Sequence, residues 1–391
     1  MNNITVKIFP ALNGDCFLIT TGETNILIDG GYVNTYNEFL KPNLIEMASK
    51  GEKLSLLVVS HIDADHISGT MKFIEENETE KIIPVQNIWH NAFRHIQQDE
   101  QIDTTIKEEK IFNDIKREEL SGSATNVSAK QGSSLASILL KYKYQWNTQF
   151  HGNAVSLDHK NSITVGEFTV NLLSPNQTKL ESLQKYWRKE LYKNGYLDTS
   201  HTDGFWDDAF EFLLAQDKEE LKYKSKTISY KNNIDFDKLK GGTFTPDTSP
   251  TNGSSISLIL QVGDKKMLFL GDSHSDLVES ELKKHLSTKE FPIYFDLVKL
   301  SHHGSFSNNS PGLLELIDSD KWIISSNGKI HNHPDIETLA WILTKDNKIK
   351  RNIFFNYPLA ICQELSNSEL KEKYNYEIIF PETEEPIEIL L

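Results

Sequence analysis

The sequence predicts an α/β fold whose short buried strands end near one charged edge. Three features predict it. Apolar runs of strand length alternate with stretches of helical period. Four of those runs stop at an acid or a histidine: at His61, at Asp272, at His302 and, after Ser326, near His333. The chain has 391 residues, 38% of them hydrophobic, enough for one large domain with insertions. In layered α/β proteins ligands bind beyond the strand ends, where loops converge.

Taken in order, Ile4 to Pro10 alternates apolar and polar residues, as an edge or half-buried strand does. Asn13-Gly14-Asp15 turns into a strand at Cys16–Ile19. Thr21-Gly22-Glu23 turns into Asn25–Ile28, which stops at Asp29-Gly30-Gly31. Asp29 reads either as a plain turn residue or as an acid orienting a nearby ligand. Tyr36 to Met47 has helical period, Leu56 to Val59 is a buried strand, and Ile67 to Glu76 is a helix. Ile82 to Trp89 reads as a strand that ends at His90. Residues 92–150 break the pattern and read as a helical insertion over the site: a charged helix at Ile106–Leu120, a Ser/Gly/Ala-rich loop at Ser121–Ser134 and an amphipathic helix at Leu135–Tyr144. His95 and His151 there read as structural or exposed.

Strands resume over Ile163–Leu173, and Leu180–Leu191 is helical. Residues 193–250 read as a second, polar and aromatic insertion that carries His201 and Asp203. Thr243 to Ser254 is the stretch most expected to lack order. Ser255–Val262 and Lys266–Leu270 form a hairpin through Gly263-Asp264 and end at Gly271-Asp272. A helix at Leu277–His285 follows, then strands at Phe295–Leu300, Trp322–Ser326, Asn352–Asn356 and Tyr376–Phe380.

The densest chemistry follows the strand at Leu56–Val59. His61, Asp63, Asp65 and His66 place four potential metal ligands within six positions. In an extended loop, side chains two apart point the same way, so His61, Asp63 and Asp65 can meet at one point. The adjacent Asp65 and His66 diverge enough to face a second point beside it. A helix cap at this place accounts for one carboxylate, not four ligands. A pair of divalent cations accounts for all of them. Asp272 is a carboxylate suited to bridging two cations, and His90 is a candidate further ligand. Adjacent residues on an extended segment face opposite ways, so one of His302 and His303 is expected to point inward. Two cations roughly 3.5–4 Å apart would share a bridging hydroxide, a nucleophile available at neutral pH.

The formal net charge of −15 argues against a broad basic surface for duplex binding. It leaves room for nucleic acid in a local groove, because bound cations invert the field at a site. Cys16 and Cys362 are the two cysteines, so no disulfide framework or CxxC metal site is expected. No apolar run reaches the length of a membrane span, and Met1 to Lys7 has no signal-peptide character. A cytoplasmic protein is expected.

His61-x-Asp63-x-Asp65-His66, Gly271-Asp272, His302-His303-Gly304-Ser305 and His333-Pro334 together resemble the metallo-β-lactamase superfamily, and within it the stand-alone relatives of the hydrolase domain of ComEC-type DNA-uptake proteins. Ser128 to Gly132 and Trp146-Asn147 share in the resemblance. It implies an αββα metallo-β-lactamase sandwich with two insertions, spanning residues 1–391 as a single domain, and two divalent metal ions, zinc or manganese, with magnesium also admissible. One ion would be held by His61, Asp63 and His90. The other would be held by Asp65, His66 and His302 or His303, with Asp272 between them. Asp65 and His333 are the candidate catalytic residues, His333 as a proton donor to the leaving oxygen or a phosphate contact. Asn327 and Ser305 are further candidate phosphate contacts. Asp63 stands where the wider superfamily has histidine, which makes the site harder and favours manganese or magnesium over zinc. The resemblance implies a phosphodiesterase acting on nucleic acid, single-stranded DNA above all. It also admits a small-molecule ester hydrolase, or a metal-binding scaffold regulated by a protease or NTPase partner of a bacterial antiviral defence operon.

Overall fold

In the computed structural model of the chain, residues 3–96, 134–193, 234–285 and 292–391 are described. The expected helix at 106–120, the loop at 121–133, and His201 and Asp203 lie outside them. The strands, in chain order, are β1 (Thr5–Ile8), β2 (Phe17–Thr21), β3 (Thr24–Ile28), β4 (Leu56–Val58), β5 (Ile88–Trp89), β6 (Ser162–Val165), β7 (Phe168–Ser174), β8 (Ser257–Val262) and β9 (Lys265–Phe269). Then come β10 (Ile293–Phe295), β11 (Leu297–Lys299), β12 (Ile317–Ser319), β13 (Lys321–Ile324), β14 (Arg351–Phe355), β15 (Tyr376–Ile379) and β16 (Ile387–Leu390).

Fourteen of them form two large sheets, β16-β1-β2-β3-β4-β5 and β15-β14-β13-β11-β9-β8-β7-β6, and β10 pairs with β12 separately. Period-two alternation explains the layering. Val6, Ile8, Phe17, Ile19, Ile26, Ile28 and Val58 face Val170, Leu258, Leu260, Met267, Phe269 and Leu297 across the central core. The intervening Leu18, Leu27, Leu57 and Val59 face the outer helices at Lys41–Ser49 and Ala64–Glu80. On the other side Leu268, Val298, Trp322 and Ile324 face the helices at Ser275–His285, Pro311–Leu316 and Ile336–Leu343. Helix, sheet, sheet and helix are therefore stacked as the αββα expectation requires.

β1 is the half-buried strand that its alternation predicts, paired antiparallel with both β16 and β2. Two expectations are corrected here. The strand expected over Ile82–Trp89 shrinks to Ile88–Trp89. Residues 243–254 are ordered: the Asp247 carboxylate accepts from Ser249 N (2.8 Å), Asn252 Nδ2 (2.7 Å) and Asn308 Nδ2 (2.9 Å), and Pro250–Gly253 makes a helical turn. Its polar, turn-rich composition hides a hydrogen-bonded loop that one carboxylate organises.

Strands β3, β4 and β5 run parallel to one another, as do β9, β11, β13, β14 and β15. Their carboxyl ends bring the loops after Ile28, Val58, Phe269, Lys299 and Ile324 toward the same edge.

Candidate metal centre

The loop after β4 is shorter than the sequence suggests. Ala64 already begins the long helix, so Asp65 and His66 stand on its first turn rather than on extended chain. Asp63 is the N-cap residue, yet its side chain makes no cap bond. Its Oδ2 lies instead 3.2 Å from His61 Nε2. A capping role is thus set aside in favour of contact with an imidazole.

Asp272 lies at the centre. Its Oδ2 stands 3.6 Å from His66 Nε2 and 3.8 Å from each of His61 Nε2, His302 Nε2 and His303 Nε2. His303 Nε2 is also 3.8 Å from Asp65 Oδ2, and His66 Nε2 is 4.0 Å from Asp65 Oδ1. Two of the resulting ligand groups are His61, His66 and Asp272, and Asp65, His66 and His303, each with donor atoms within 4.8 Å of one another.

Both histidines of the pair reach Asp272, against the expectation that one would. The reason is backbone. His302 and His303 sit at φ +43° and +57°, in the left-handed region, so the segment is not extended and the alternation rule does not apply. A non-glycine residue held there is strained, and such strain collects at functional sites.

Three of the four imidazoles are hydrogen-bonded through their other nitrogen, and the fourth, His303, faces a carboxylate. His66 Nδ1 donates to Asp29 Oδ2 (2.9 Å), and Asp29 accepts from Ser60 N and Ser60 Oγ, both at 2.7 Å. His61 Nδ1 bonds Ser60 Oγ (3.1 Å), His302 Nδ1 donates to Asn308 Oδ1 (2.9 Å), and His303 Nδ1 faces Asp15 Oδ1 at 3.5 Å. Outer partners of this kind fix the tautomer that leaves the Nε2 lone pair facing inward. Asp29, ambiguous in the sequence, is one of these orienting acids. Asn13 Nδ2 donates to Asp65 Oδ2 (2.8 Å), and Asn13 Oδ1 accepts from Tyr32 Oη (3.1 Å). A side chain at Gly14 would collide with the Asp65 carbonyl, so glycine lets this loop press against the site.

The buried nitrogens His61 Nε2, His66 Nε2 and His303 Nε2 have no hydrogen-bond partner. Buried polar atoms are rarely left so, and their convergence on a shared carboxylate fits divalent cations. Electrostatics agree. Burial pushes His66 down, but Asp272, Asp65 and Asp29 raise it well above its ordinary range. Burial pushes Asp272 up, but His303, His302 and His66 hold it well below the usual carboxylate range. The cluster draws positive charge. Burial takes His302 down to about 4 against the pull of Asp272, with His333 and His303 adding to the shift.

His90 is not among these groups. Its ring stacks on Trp146 at 6.0 Å, and its backbone is clamped by Trp146 Nε1 and Asn147 Nδ2, each 2.9 Å from its carbonyl. His95, T-shaped on Trp146, is pushed down to about 3 by burial, His90 and Arg94. His333 lies at the mouth, its ring 5.2 Å from that of His302 and its Nδ1 3.3 Å from Asp335 Oδ1. Asn327 Oδ1 accepts from Lys329 N within its own turn (3.1 Å). Ser305 is buried beneath the His302-His303 turn. Sequence reading passed over Lys299, Asn13, Asn308 and Asp247 and assigned Asp15 no role. Each is a single polar residue outside any ligand spacing. A lysine at the inner end of an apolar strand was the one available signal.

Residues 10–119 match the family described as the metallo-beta-lactamase superfamily. Among solved structures, the chain is similar to the metallo-beta-lactamase fold protein YhfI from Bacillus subtilis, at 10% identity and TM-score 0.39, covering 100% of both chains. It is also similar to CmlA, a diiron beta-hydroxylase from Streptomyces venezuelae, at 10% identity and TM-score 0.37, covering 100% of this chain and 54% of that one. No curated protein matches. No described helix is long and apolar enough to cross a membrane. The segment that matches this family carries His61, Asp63, Asp65 and His66, and the αββα stack places Asp272 and His303 beside them at the same edge.

Proposed function

We propose that this protein is a metal-dependent phosphodiesterase acting on nucleic acid, with single-stranded DNA its preferred substrate. The observation that carries this reading is the convergence of four Nε2 atoms within 3.8 Å of Asp272 Oδ2, beside Asp63 and Asp65. Asp65, His66 and His303 would hold one divalent cation and His61, Asp63 and His302 the other, with Asp272 shared between them. When bound, the cations supply Lewis-acid polarisation of a phosphoryl oxygen and lower the pKa of water toward about 7. The carboxylate-rich donor set suits manganese or magnesium at least as well as zinc.

The chain's own groups do the rest. Asp29, Ser60 and Asn308 hold the rings of His66, His61 and His302 by Nδ1, and the Asp15 carboxylate faces Nδ1 of His303. Asp335, itself held by Phe306 N at 2.7 Å, orients His333. His333 Nε2 would carry the proton given to the leaving oxygen. His331, whose ring lies 5.7 Å from that of His333, widens the imidazole surface that a phosphodiester would meet.

The net charge of −15 favours a second reading, a small-molecule phosphodiester as substrate, because a long polyanion would be repelled outside the site. One assay decides between them. Single- and double-stranded DNA and RNA, and a chromogenic bis-aryl phosphate, are incubated with the protein and manganese, magnesium or zinc. Cleavage of single-stranded DNA above the other polymers is expected. Cleavage of the small phosphodiester alone would establish the second reading, and no cleavage of any substrate would reject both.

A further inference from the structure

Lys299 closes β11 and points into the metal cluster rather than to solvent. It is 1% exposed. Its ammonium is paired with Asp15 Oδ2, donates to Gly271 O at 3.1 Å and lies 4.0 Å from Asp272 Oδ1. The two oxygens of Asp272 are thus divided. Oδ2 faces the four imidazoles, while Oδ1 faces a fixed positive charge. Gly271, at φ +50°, makes the turn that presents Asp272, and Lys299 grips its carbonyl. Through Asp15, the same ammonium also reaches the Nδ1 side of His303.

The charges point the same way. Asp15, Asp29, Asp63, Asp65 and Asp272 are five buried carboxylates, none more than 8% exposed, and Lys299 is the buried ammonium among them. Four negative charges remain to draw cations. Without Lys299 the cluster would carry one more unmatched buried charge, which is strongly disfavoured.

We infer that Lys299 is a positioning residue for the dinuclear centre. It holds Asp272 so that Oδ2 faces the four imidazoles, faces His303 through Asp15, and offsets one of the five buried negative charges that would otherwise repel one another. The inference rests on the metal reading given above but not on the nucleic-acid substrate.

The test is manganese binding by the chelator-stripped full chain, followed by equilibrium dialysis and by the spectroscopic signal of free manganese. The wild type is expected to take up two equivalents. Lys299→Met is expected to bind manganese about 10–100-fold more weakly, the range for residues that orient ligands. Because it leaves Asp15 unpaired, it is accompanied by Asp15→Asn/Lys299→Met, which leaves no extra charge behind. Circular dichroism and denaturant unfolding in chelator report the fold of each. A folded double variant that still loses 10-fold or more in affinity upholds the inference. A folded double variant with wild-type affinity overturns it, as does a double variant that stays unfolded with or without manganese, since the pair then serves the fold alone. Fewer than two equivalents in the wild type also overturns it. Weakened binding in the variants, with no cleavage of nucleic acid by the loaded wild type, upholds this inference and rejects the phosphodiesterase reading.

Discussion

Two buried polar clusters sit at opposite ends of the second sheet, and they are built differently. At the amino end of β14, Arg351 Nε and Nη2 grip Asp318 at 3.2 and 2.7 Å, and Nη1 donates to the carbonyls of Asp346 (2.8 Å) and Ile349 (3.2 Å). Ser319 N donates to Asp318 Oδ1 at 2.8 Å. The charges there are matched one to one. At the carboxyl ends of β9 and β11, imidazole nitrogens converge on Asp272 with no hydrogen-bond partner, and carboxylates outnumber the single ammonium. A satisfied cluster holds the fold together; an unsatisfied one of the same burial is kept for something that binds.

The largest effect should separate the two in activity. Asp65→Ala and Asp272→Asn are expected to lower turnover by about 10³-fold or more, some 4 kcal/mol of barrier. Each also removes an acceptor that its neighbours hold in the metal-free cluster, so unfolding in chelator should be somewhat easier while the fold persists. Turnover retained in both variants would reject the site; a collapsed apo fold would mean that this cluster is structural after all.

The converse holds at the other end. Asp318→Ala leaves Arg351 buried and uncompensated, at a cost of about 3–5 kcal/mol in denaturant unfolding. Turnover per folded molecule and metal content should not move. Replacing both partners with Asp318→Leu/Arg351→Met should recover most of the loss, since well-packed apolar groups often replace a buried pair without penalty. No recovery would show that the pair does more than satisfy itself.

Metal removal sharpens the contrast. A ligand that binds only the folded state, present at a hundred times its dissociation constant, stabilises by about 2.7 kcal/mol. Chelation should therefore lower the unfolding midpoint of the wild type and of Asp318→Ala alike, and leave Asp272→Asn nearly unmoved. Equal sensitivity in Asp272→Asn would place the stabilising metal elsewhere.

The same contrast explains what the sequence reveals. The run His61 to His66 is legible because its ligands crowd one loop, and the layering is legible because each strand alternates between two apolar faces. Asp318 and Arg351 are 33 residues apart in the chain, and neither belongs to a pattern, so their pairing emerges only when β12 and β14 are placed. Lys299 and Asp15 are hidden for the same reason. His302 and His303 were misjudged because the extended-chain rule fails where φ turns positive. His90 also stands at a strand end, and its ring stacks on that of Trp146. Spacing along one segment reports ligands; contacts between segments, which supply the orienting partners, leave no local signature.

The smallest effect lies beside the satisfied cluster. Lys345 donates to Leu314 O, and burial, with Arg351 and Lys240 nearby and against the pull of Asp318, lowers its pKa from 10.5 to about 8. Between those values the unfolded chain holds a proton that the folded chain has released. Unfolding then takes up a proton, so stability should rise as pH climbs from about 8 toward 10.5. The gain should be roughly 1–2 kcal/mol, reduced from the full linkage value because solvent reaches this half-buried side chain. Lys345→Met should remove that rise and be the more stable protein below pH 8, where the wild type carries the buried charge. Denaturant midpoints of the two proteins at pH 7, 8, 9 and 10 measure the difference directly. Parallel profiles would show that Lys345 keeps its proton in the fold above pH 8 as well, so that Asp318 faces two cations at every pH tested and not Arg351 alone.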